Sequence, residues 1–201
     1  MKKQLDIFEK YFPETTVAYC YELWEKYEFT FKITKPRNSK FGDYVYRQGK
    51  GHQISVNGDL NPFAFLVTYI HEVAHLITYK EYGAISNPHG KEWKQNFLRA
   101  FSPILLPSFI PEPLLSTLIT YLKNPAASTQ GNQALVLALR AFDSISYAEG
   151  KVLLSSLPTG AAFELQGKIF NKGTLRRTRY LCTDTRGKRF VISSSALVSK
   201  I

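Results

Sequence analysis

The segment from Pro62 to Lys80 constrains the fold more than any other part of the sequence, because its residues are apolar almost all around a predicted helix. Asn61 is the predicted N-cap, Pro62 the first helical residue, and Gly83 the end of the helix. A helix that is apolar on every side belongs inside a core. Three polar side chains nevertheless stand in its middle: His71, Glu72 and His75.

These three polar groups need a partner, because leaving them unpaired in an apolar core costs roughly several kcal/mol. Residues four apart share one helix face, so His71 and His75 can hold the same zinc ion. Glu72 is rotated by about 100° around the helix. It can stand beside the ion and accept a proton from water that zinc has made more acidic. The pattern therefore predicts a zinc-dependent hydrolase.

A catalytic zinc site takes three protein ligands and keeps a fourth position open, so one more ligand must come from downstream. We favour His89, because Gly90 after it permits the close turn that would aim the ring. Glu81 and Glu92 are the carboxylate alternatives, and His52 is expected at the surface. Zn²⁺ is the predicted cofactor, although these ligand types also accept manganese, cobalt or iron.

The rest of the sequence predicts an α+β protein. Two helices are expected before residue 28, followed by a three-stranded and mostly antiparallel sheet over residues 29–56. Further helices are predicted at Gly90–Phe101, Pro111–Leu122 and Gln133–Phe142. After Pro158 the short alternating runs predict a separate unit, either a small β-barrel-like domain or a strongly twisted sheet.

The charge of the chain is strongly positive, with 26 basic and 16 acidic side chains. Such a balance favours a polyanionic partner. The excess is concentrated from Ser156 to Ile201, where nine basic side chains face two acidic ones. Tyr180 and Phe190 are interleaved with them and could stack on bases. DNA is therefore an expected partner, with five predicted nucleic-acid-binding residues: Arg176, Arg177, Arg179, Lys188 and Arg189.

The sequence predicts no membrane partner. No apolar run reaches the roughly eighteen residues of a membrane-spanning helix. Asp6, Glu9 and Lys10 interrupt the apolar stretch that a signal peptide would need. We expect a soluble, cytoplasmic protein. Cys20 and Cys182 lie near opposite ends of the chain and are expected to be free, buried thiols.

The residues of the motif resemble the SprT-like zinc metallopeptidases, a family that includes Spartan, the protease of DNA–protein crosslink repair. The likeness rests on His71 to His75, on His89-Gly90 after a loop, and on Trp93 and Phe97 beyond them. The segment from Ile54 to Phe63 is also similar to the strand and helix entry of that family. The resemblance covers roughly residues 15 to 105.

The resemblance implies a small zincin fold with His71, His75 and His89 as metal ligands and Glu72 as catalytic base. It also implies proteolysis linked to DNA. Many bacterial relatives end in a four-cysteine zinc ribbon, whereas this chain has two cysteines and a basic β unit in that place. The predicted domains are a SprT-like zincin domain at 1–125, a linker and helix at 126–155, and a basic small β domain at 156–201.

The leading hypothesis is a zinc metalloendopeptidase of DNA repair that hydrolyses peptide bonds in DNA-associated or DNA-crosslinked protein substrates. The alternative is a nucleic-acid-binding protein with a structural or vestigial zinc site, which predicts salt-sensitive DNA binding without turnover. A third hypothesis is a general cytosolic peptidase that acts without DNA. Comparing cleavage rates with and without nucleic acid separates the third hypothesis from the first.

Overall fold

The structure, a computed structural model, describes residues 2–37, 40–85, 87–126, 131–143 and 151–201. The chain forms two compact units, Met1–Asp143 and Ser144–Ile201. The first unit combines helices with a three-stranded sheet, which confirms the predicted α+β class. Its elements are α1 (Lys2–Tyr11), α2 (Val17–Tyr27), β1 (Thr30–Thr34), β2 (Gly42–Arg47), β3 (Gly51–Asn57), α3 (Pro62–Tyr82), α4 (Lys91–Phe101), α5 (Leu114–Leu122) and α6 (Gln133–Arg140).

Helix α3 is the buried helix that the sequence predicts. The Asn61 side chain caps it by accepting a hydrogen bond from the backbone N–H of Ala64 at 2.9 Å. Gly83 ends the helix with φ of 73°, a conformation that glycine adopts without strain. The Asn61 amide also donates to the backbone carbonyl of Leu139 in α6 at 2.9 Å. The cap therefore holds a second helix as well as starting α3.

Replacing Asn61 by alanine should lower the free energy of unfolding of the first unit by about 2 kcal/mol, because the variant loses the cap and the amide's hydrogen bonds to the Leu139 carbonyl and the Asp143 carboxylate. Asn132, which only caps α6, provides the matched control, and Asn132→Ala should cost about 1 kcal/mol. Urea unfolding followed by the fluorescence of Trp24 and Trp93 measures both. Equal losses of unfolding free energy in the two variants would show that the hydrogen bond from Asn61 to α6 contributes nothing to stability.

The sheet of the first unit has the order β1-β3-β2. β2 pairs antiparallel with β3, but β1 pairs parallel with β3, so the expectation of a mostly antiparallel sheet is only half right. The two-residue period tells which face of a strand is buried but not which strands are neighbours. Ile54 and Val56 in the middle strand are completely buried under α3.

An aromatic cluster joins α1, β1 and α3 in the core. The rings of Phe8, Phe12 and Phe31 pack around Tyr69 of α3, with centroids 4.9 to 5.9 Å from its ring. The Tyr69 hydroxyl donates to the backbone carbonyl of Cys20 at 2.8 Å, which ties α2 to the same helix. Packing on several sides therefore holds α3 in place, and with it the polar groups at its middle.

The division into units differs from the predicted domain boundaries at residues 125 and 156. Helix α6 belongs to the first unit, because it packs on α5 and accepts the hydrogen bond from Asn61. The second unit already includes the strand at Lys151–Leu153. Residues 127–130 and 144–150 of the predicted linker lie outside the described residues.

The second unit is a sheet whose strand pairs are all antiparallel. Its strands are β4 (Lys151–Leu153), β5 (Ala162–Leu165), β6 (Lys168–Asn171), β7 (Leu175–Arg176), β8 (Arg179–Asp184), β9 (Arg189–Ser193) and β10 (Leu197–Lys200). The prediction of a barrel is wrong: the strand order is β4-β10-β5-β6-β8-β7, β9 pairs with β8, and β4 and β7 stay unpaired with each other among the described residues. A barrel requires its first and last strands to pair.

Both cysteines are buried and free, as expected. Burial raises the pKa of the Cys20 thiol well above its usual value, so this side chain is an inert part of the core. Within the described residues, no helix combines the length and the apolar character that crossing a bilayer requires.

Candidate metal centre and active site

Three histidine rings meet at one point on the surface of α3. The Nε2 atom of His75 lies 3.2 Å from that of His71 and 3.1 Å from that of His89, and the remaining pair is 3.3 Å apart. His71 and His75 are one turn apart on α3, whereas His89 comes from the loop before α4. Among the described residues, this triad is the one group of metal-ligating side chains close enough to share an ion.

The spacing of the triad fits a zinc ion. Zinc binds imidazole nitrogen at about 2.0 to 2.1 Å in tetrahedral geometry, so two of its ligand atoms lie about 3.3 Å apart. The three observed separations of 3.1 to 3.3 Å match that value. Three histidines also leave one tetrahedral position open, which is the arrangement of a catalytic site rather than a structural one.

The histidines are held in the protonation state that binds metal. Burial, and to a smaller degree the neighbouring His75 and His89, lowers the pKa of His71 to about 3. Burial together with His89 lowers the pKa of His75 to about 3, and burial lowers the pKa of His89. Neutral imidazole is the metal ligand, so the rings need not lose a proton at pH 7 to bind an ion.

Helix α4 fixes the third histidine and closes the back of the triad. Trp93 in its first turn is completely buried, and its ring centroid lies 4.7, 5.3 and 4.7 Å from those of His71, His75 and His89. Asn96, one turn later, donates to the Thr78 hydroxyl of α3 at 3.0 Å. The two helices are therefore locked together directly behind the metal ligands.

Glu72 lies beside the triad and faces β2 instead of the open side of α3. The residue is 7% exposed, and its carboxylate accepts a hydrogen bond from the backbone N–H of Tyr44. Burial and the nearby Asp43 raise the pKa of Glu72 to about 8, while Lys40, Arg37 and the Tyr44 N–H oppose the rise. A carboxylate with a pKa near neutrality can both take up and release a proton.

Comparison with known proteins agrees with this arrangement. Residues 8–103, which include the triad and Glu72, match the model of the SprT-like family. Over this segment the chain belongs to the SprT-like family.

A stretch of 47 residues is 57% identical to Protein SprT of Vibrio parahaemolyticus serotype O3:K6 (strain RIMD 2210633). That stretch covers 21% of this chain and 28% of the relative, so most of both proteins lies outside the match. No solved structure gives a significant match to the chain. The family assignment therefore concerns the SprT-like segment and not the β unit that follows it.

Two residues of the SprT-like domain that were not among the predicted site residues, Gly42 and Tyr44, contact Glu72. A Cβ atom built on Gly42 would lie 2.6 Å from Oε1 of Glu72 and 2.7 Å from Cγ2 of Thr68, so a larger residue would displace the carboxylate. Tyr44 supplies the N–H that orients it. A glycine in a strand often marks a place where another group approaches the backbone closely, so Gly42 was the sequence signal for this contact with Glu72.

The alternative ligands are not part of the triad of the SprT-like domain. Glu81 forms an ion pair with Arg99 and accepts a hydrogen bond from Asn96 at 3.0 Å, so its oxygens are already occupied. Glu92 is not part of the histidine group. His52 also lies outside the group, but it is half-buried against Tyr44 rather than free at the surface.

The five predicted nucleic-acid-binding residues of the β unit that follows the SprT-like domain are all exposed. Three arginines lie on the outer face of β7, β8 and β9: Arg176, Arg179 and Arg189. Arg176 is opposite Arg179, and Arg189 is opposite Thr183, which points to the same face of β8 as Arg179. Arg177 lies in the turn between β7 and β8, and Lys188 lies 5.6 Å from the centre of the Phe190 ring.

The aromatic residues of this unit do not lie among the arginines. Tyr180 and Phe190 alternate with the outward residues and pack against the buried cluster on the inner face. Lys172, itself buried, lies 3.9 Å from the centre of the Tyr180 ring, and Phe190 packs edge-on against Phe170. The expectation that these two rings stack on bases beside the arginines is therefore wrong. The outer face presents charge without exposed aromatic rings at these positions.

Proposed function

We propose that the protein is a zinc metalloendopeptidase, in which His71, His75 and His89 hold the ion and Glu72 is the catalytic base. The observation that carries this proposal is the placement of three Nε2 atoms at the ligand spacing of zinc beside a buried carboxylate. A purely structural site would have no use for a buried general base at that position. Membership of the SprT-like family supports the same reading.

The chemistry follows from these groups. A zinc ion in the triad would supply Lewis acidity toward a peptide carbonyl and would make water a better nucleophile at neutral pH. Glu72 then accepts the proton of the attacking water and delivers it to the leaving amine. The hydrogen bond from the Tyr44 N–H keeps the carboxylate in position for both transfers.

The edge strand β2 is suited to bind a peptide substrate. It lies at the margin of the sheet. The backbone N–H and carbonyl groups of its odd-numbered residues point toward β3, as the bond from Asn57 N–H to the Phe41 carbonyl just before the strand indicates. Backbone groups of the even-numbered residues therefore point away from the sheet. An extended peptide can pair with such an edge, next to the carboxylate that Tyr44 holds.

Replacing Gly42 by alanine should lower the cleavage rate by at least about tenfold while zinc content stays at the wild-type level, because the new Cβ would push Glu72 away from its hydrogen bond with Tyr44. Gly131→Ala is the matched control, since a Cβ at residue 131 would lie no closer than 3.8 Å to its nearest neighbour. Steady-state kinetics with metal analysis checks both. Normal activity of Gly42→Ala would mean that the position of Glu72 is unimportant.

We propose proteins bound to nucleic acid as the substrates. The net charge of +10 supports this proposal, as does the exposed face that carries Arg176, Arg179 and Arg189. Arg176 and Arg179 lie directly opposite each other, an unfavourable arrangement of like charges that a phosphate group would relieve. The protein would thus collect on nucleic acid and cleave what is attached there.

The test is cleavage of a basic DNA-binding protein by the zinc-loaded chain, with and without single-stranded DNA. Faster cleavage with DNA supports the proposed substrates. Equal rates would favour a general peptidase. The second candidate function is nucleic-acid binding alone, favoured by the concentration of basic residues in the second unit, and it predicts DNA binding without any cleavage.

A further inference from the structure

Asn96 is a buried polar residue on the apolar face of α4. The other buried residues of that face are all apolar: Trp93, Phe97, Ala100 and Phe101. Asn96 is only 3% exposed, and an asparagine in such a place costs free energy unless its amide is hydrogen-bonded. The zinc chemistry proposed above does not use this side chain, so its burial needs another explanation.

The side-chain amide of Asn96 donates twice to α3. Its Nδ2 atom lies 3.0 Å from the Thr78 hydroxyl and 3.0 Å from Oε2 of Glu81. The Thr78 hydroxyl in turn donates to the backbone carbonyl of Ala74 at 2.7 Å, and Ala74 directly precedes the ligand His75. Within the part of the chain that the structure describes, the bond to Thr78 is the one buried side-chain hydrogen bond between α3 and α4.

The position of His89 depends on where α4 lies along α3. His89 comes two residues before the start of α4, and its ring centre is 4.7 Å from that of Trp93 in the first turn. Asn87 and Pro88 before it are exposed. A shift of α4 by one residue would move its start by about 1.5 Å, whereas zinc tolerates only about 0.2 Å in its ligand distances. The register of α4 on α3 therefore decides whether the third ligand reaches the ion.

Apolar packing alone does not fix that register. Cores held together only by apolar contacts lose a unique arrangement before they lose stability. A hydrogen bond is directional, and it weakens steeply when its atoms move out of line. In coiled coils a single buried asparagine between two helices fixes their register in this way. Asn96 has the corresponding place between α3 and α4.

We infer that Asn96 is a positioning residue of the metal centre, which holds α4 in the register that brings His89 to the Nε2 atoms of His71 and His75. This inference deepens the proposed function, and it rests on that function for the presence of zinc in the triad. It distinguishes Asn96 from the apolar residues of α4, which stabilise the helix against the core. Removing the amide should weaken zinc binding without weakening the fold.

The partners of Asn96 keep other hydrogen bonds when its amide is removed. The Thr78 hydroxyl still donates to the Ala74 carbonyl. Glu81 still forms its ion pair with Arg99. Replacement of Asn96 by leucine therefore leaves no buried donor without an acceptor, and it adds apolar contact on the buried face of α4.

The experiment measures two quantities on the full chain. Competition with a chromophoric chelator gives the dissociation constant for zinc, and tryptophan fluorescence gives the midpoint of urea unfolding of the metal-free chain. Asn96→Leu should raise the dissociation constant about 10- to 100-fold, as the loss of a group that orients a metal ligand does. Its urea midpoint should equal or exceed that of the wild type.

Phe101→Leu is the matched control, because Phe101 is completely buried at the end of the same helix. It should lower the urea midpoint, since it leaves a cavity, and keep the wild-type affinity for zinc. Two variants of Thr78 test the same hydrogen bond from α3. Thr78→Val removes the acceptor and should weaken zinc binding, whereas Thr78→Ser keeps the hydroxyl and should bind zinc like the wild type.

Wild-type zinc affinity in both Asn96→Leu and Thr78→Val would overturn the inference. An equal loss of affinity in Phe101→Leu would also overturn it, because general loosening of α4 would then explain the effect. If Asn96→Leu does not fold, the difference in zinc affinity between Thr78→Val and Thr78→Ser decides. Failure of the wild type itself to bind zinc would contradict the proposed metalloendopeptidase, whereas zinc binding that none of these variants changes would contradict the positioning role alone.

Discussion

The His75→Ala variant should lose stoichiometric zinc binding. Its Nε2 atom is 3.2 and 3.1 Å from the other two ligand atoms, so its removal leaves two ligands where a catalytic site needs three. We expect the dissociation constant to rise at least about 100-fold, since even the loss of a group that only orients a ligand costs 10- to 100-fold. Metal content after dialysis and competition with a chromophoric chelator measure the change.

His52→Ala is the matched control for that experiment. His52 is also a half-buried histidine of the first unit, but it contacts Tyr44 and lies outside the triad. Its replacement should leave the zinc content at one ion per chain. Full zinc content in His75→Ala would contradict the assignment of the triad and would move the metal to other ligands.

The second large effect is expected for Glu72→Gln, which should keep its zinc and lose about 10² to 10⁴-fold in cleavage rate. Glutamine has the shape of glutamate, and its side-chain carbonyl can still accept the hydrogen bond from the Tyr44 N–H. It cannot take up a proton, so only the proton transfer is removed. Single-turnover cleavage of an unfolded protein substrate with zinc-loaded protein isolates this step.

Glu92→Gln controls for the loss of a carboxylate near the site. Glu92 is partly exposed in the first turn of α4, one residue before the buried Trp93. Its replacement should change neither zinc content nor rate. An active Glu72→Gln variant would mean that another group takes the proton, and the role proposed for the buried carboxylate would be wrong.

The core helix could be predicted from the sequence because its signals are local. Asn61, Pro62 and Gly83 define the ends of α3 through capping chemistry that involves only neighbouring residues. The pair His71 and His75 follows from helix periodicity in the same way. Such features need no knowledge of the rest of the fold.

Features that depend on distant partners were harder to predict. The parallel pairing of β1 with β3 is decided by the path of the chain and not by alternation within either strand. The place of Glu72 opposite Gly42 and the N–H of Tyr44 depends on how β2 lies against α3. No short-range pattern around Glu72 contains that information.

In the second unit, too, the features that depend on distant residues could not be predicted. Alternating runs predicted its strands, but they could not show that β4 and β7 do not pair with each other, which leaves the sheet open over the residues that the structure describes. Tyr180 and Phe190 stand next to arginines in the sequence, yet neighbouring residues of a strand point to opposite faces. Sequence adjacency therefore suggested an aromatic and basic surface there, whereas the structure packs these two rings against the buried cluster on the inner face.

The most direct test of the central claim is a zinc titration of the metal-free full chain in which bound metal and cleavage of an unfolded protein are measured in the same samples. We expect cleavage to rise in proportion to bound zinc and to saturate at one ion per chain, while Glu72→Gln binds the same single ion and stays inactive. One tightly bound zinc without any cleavage in the wild type would contradict it, and the protein would then be a nucleic-acid-binding protein with a structural metal site.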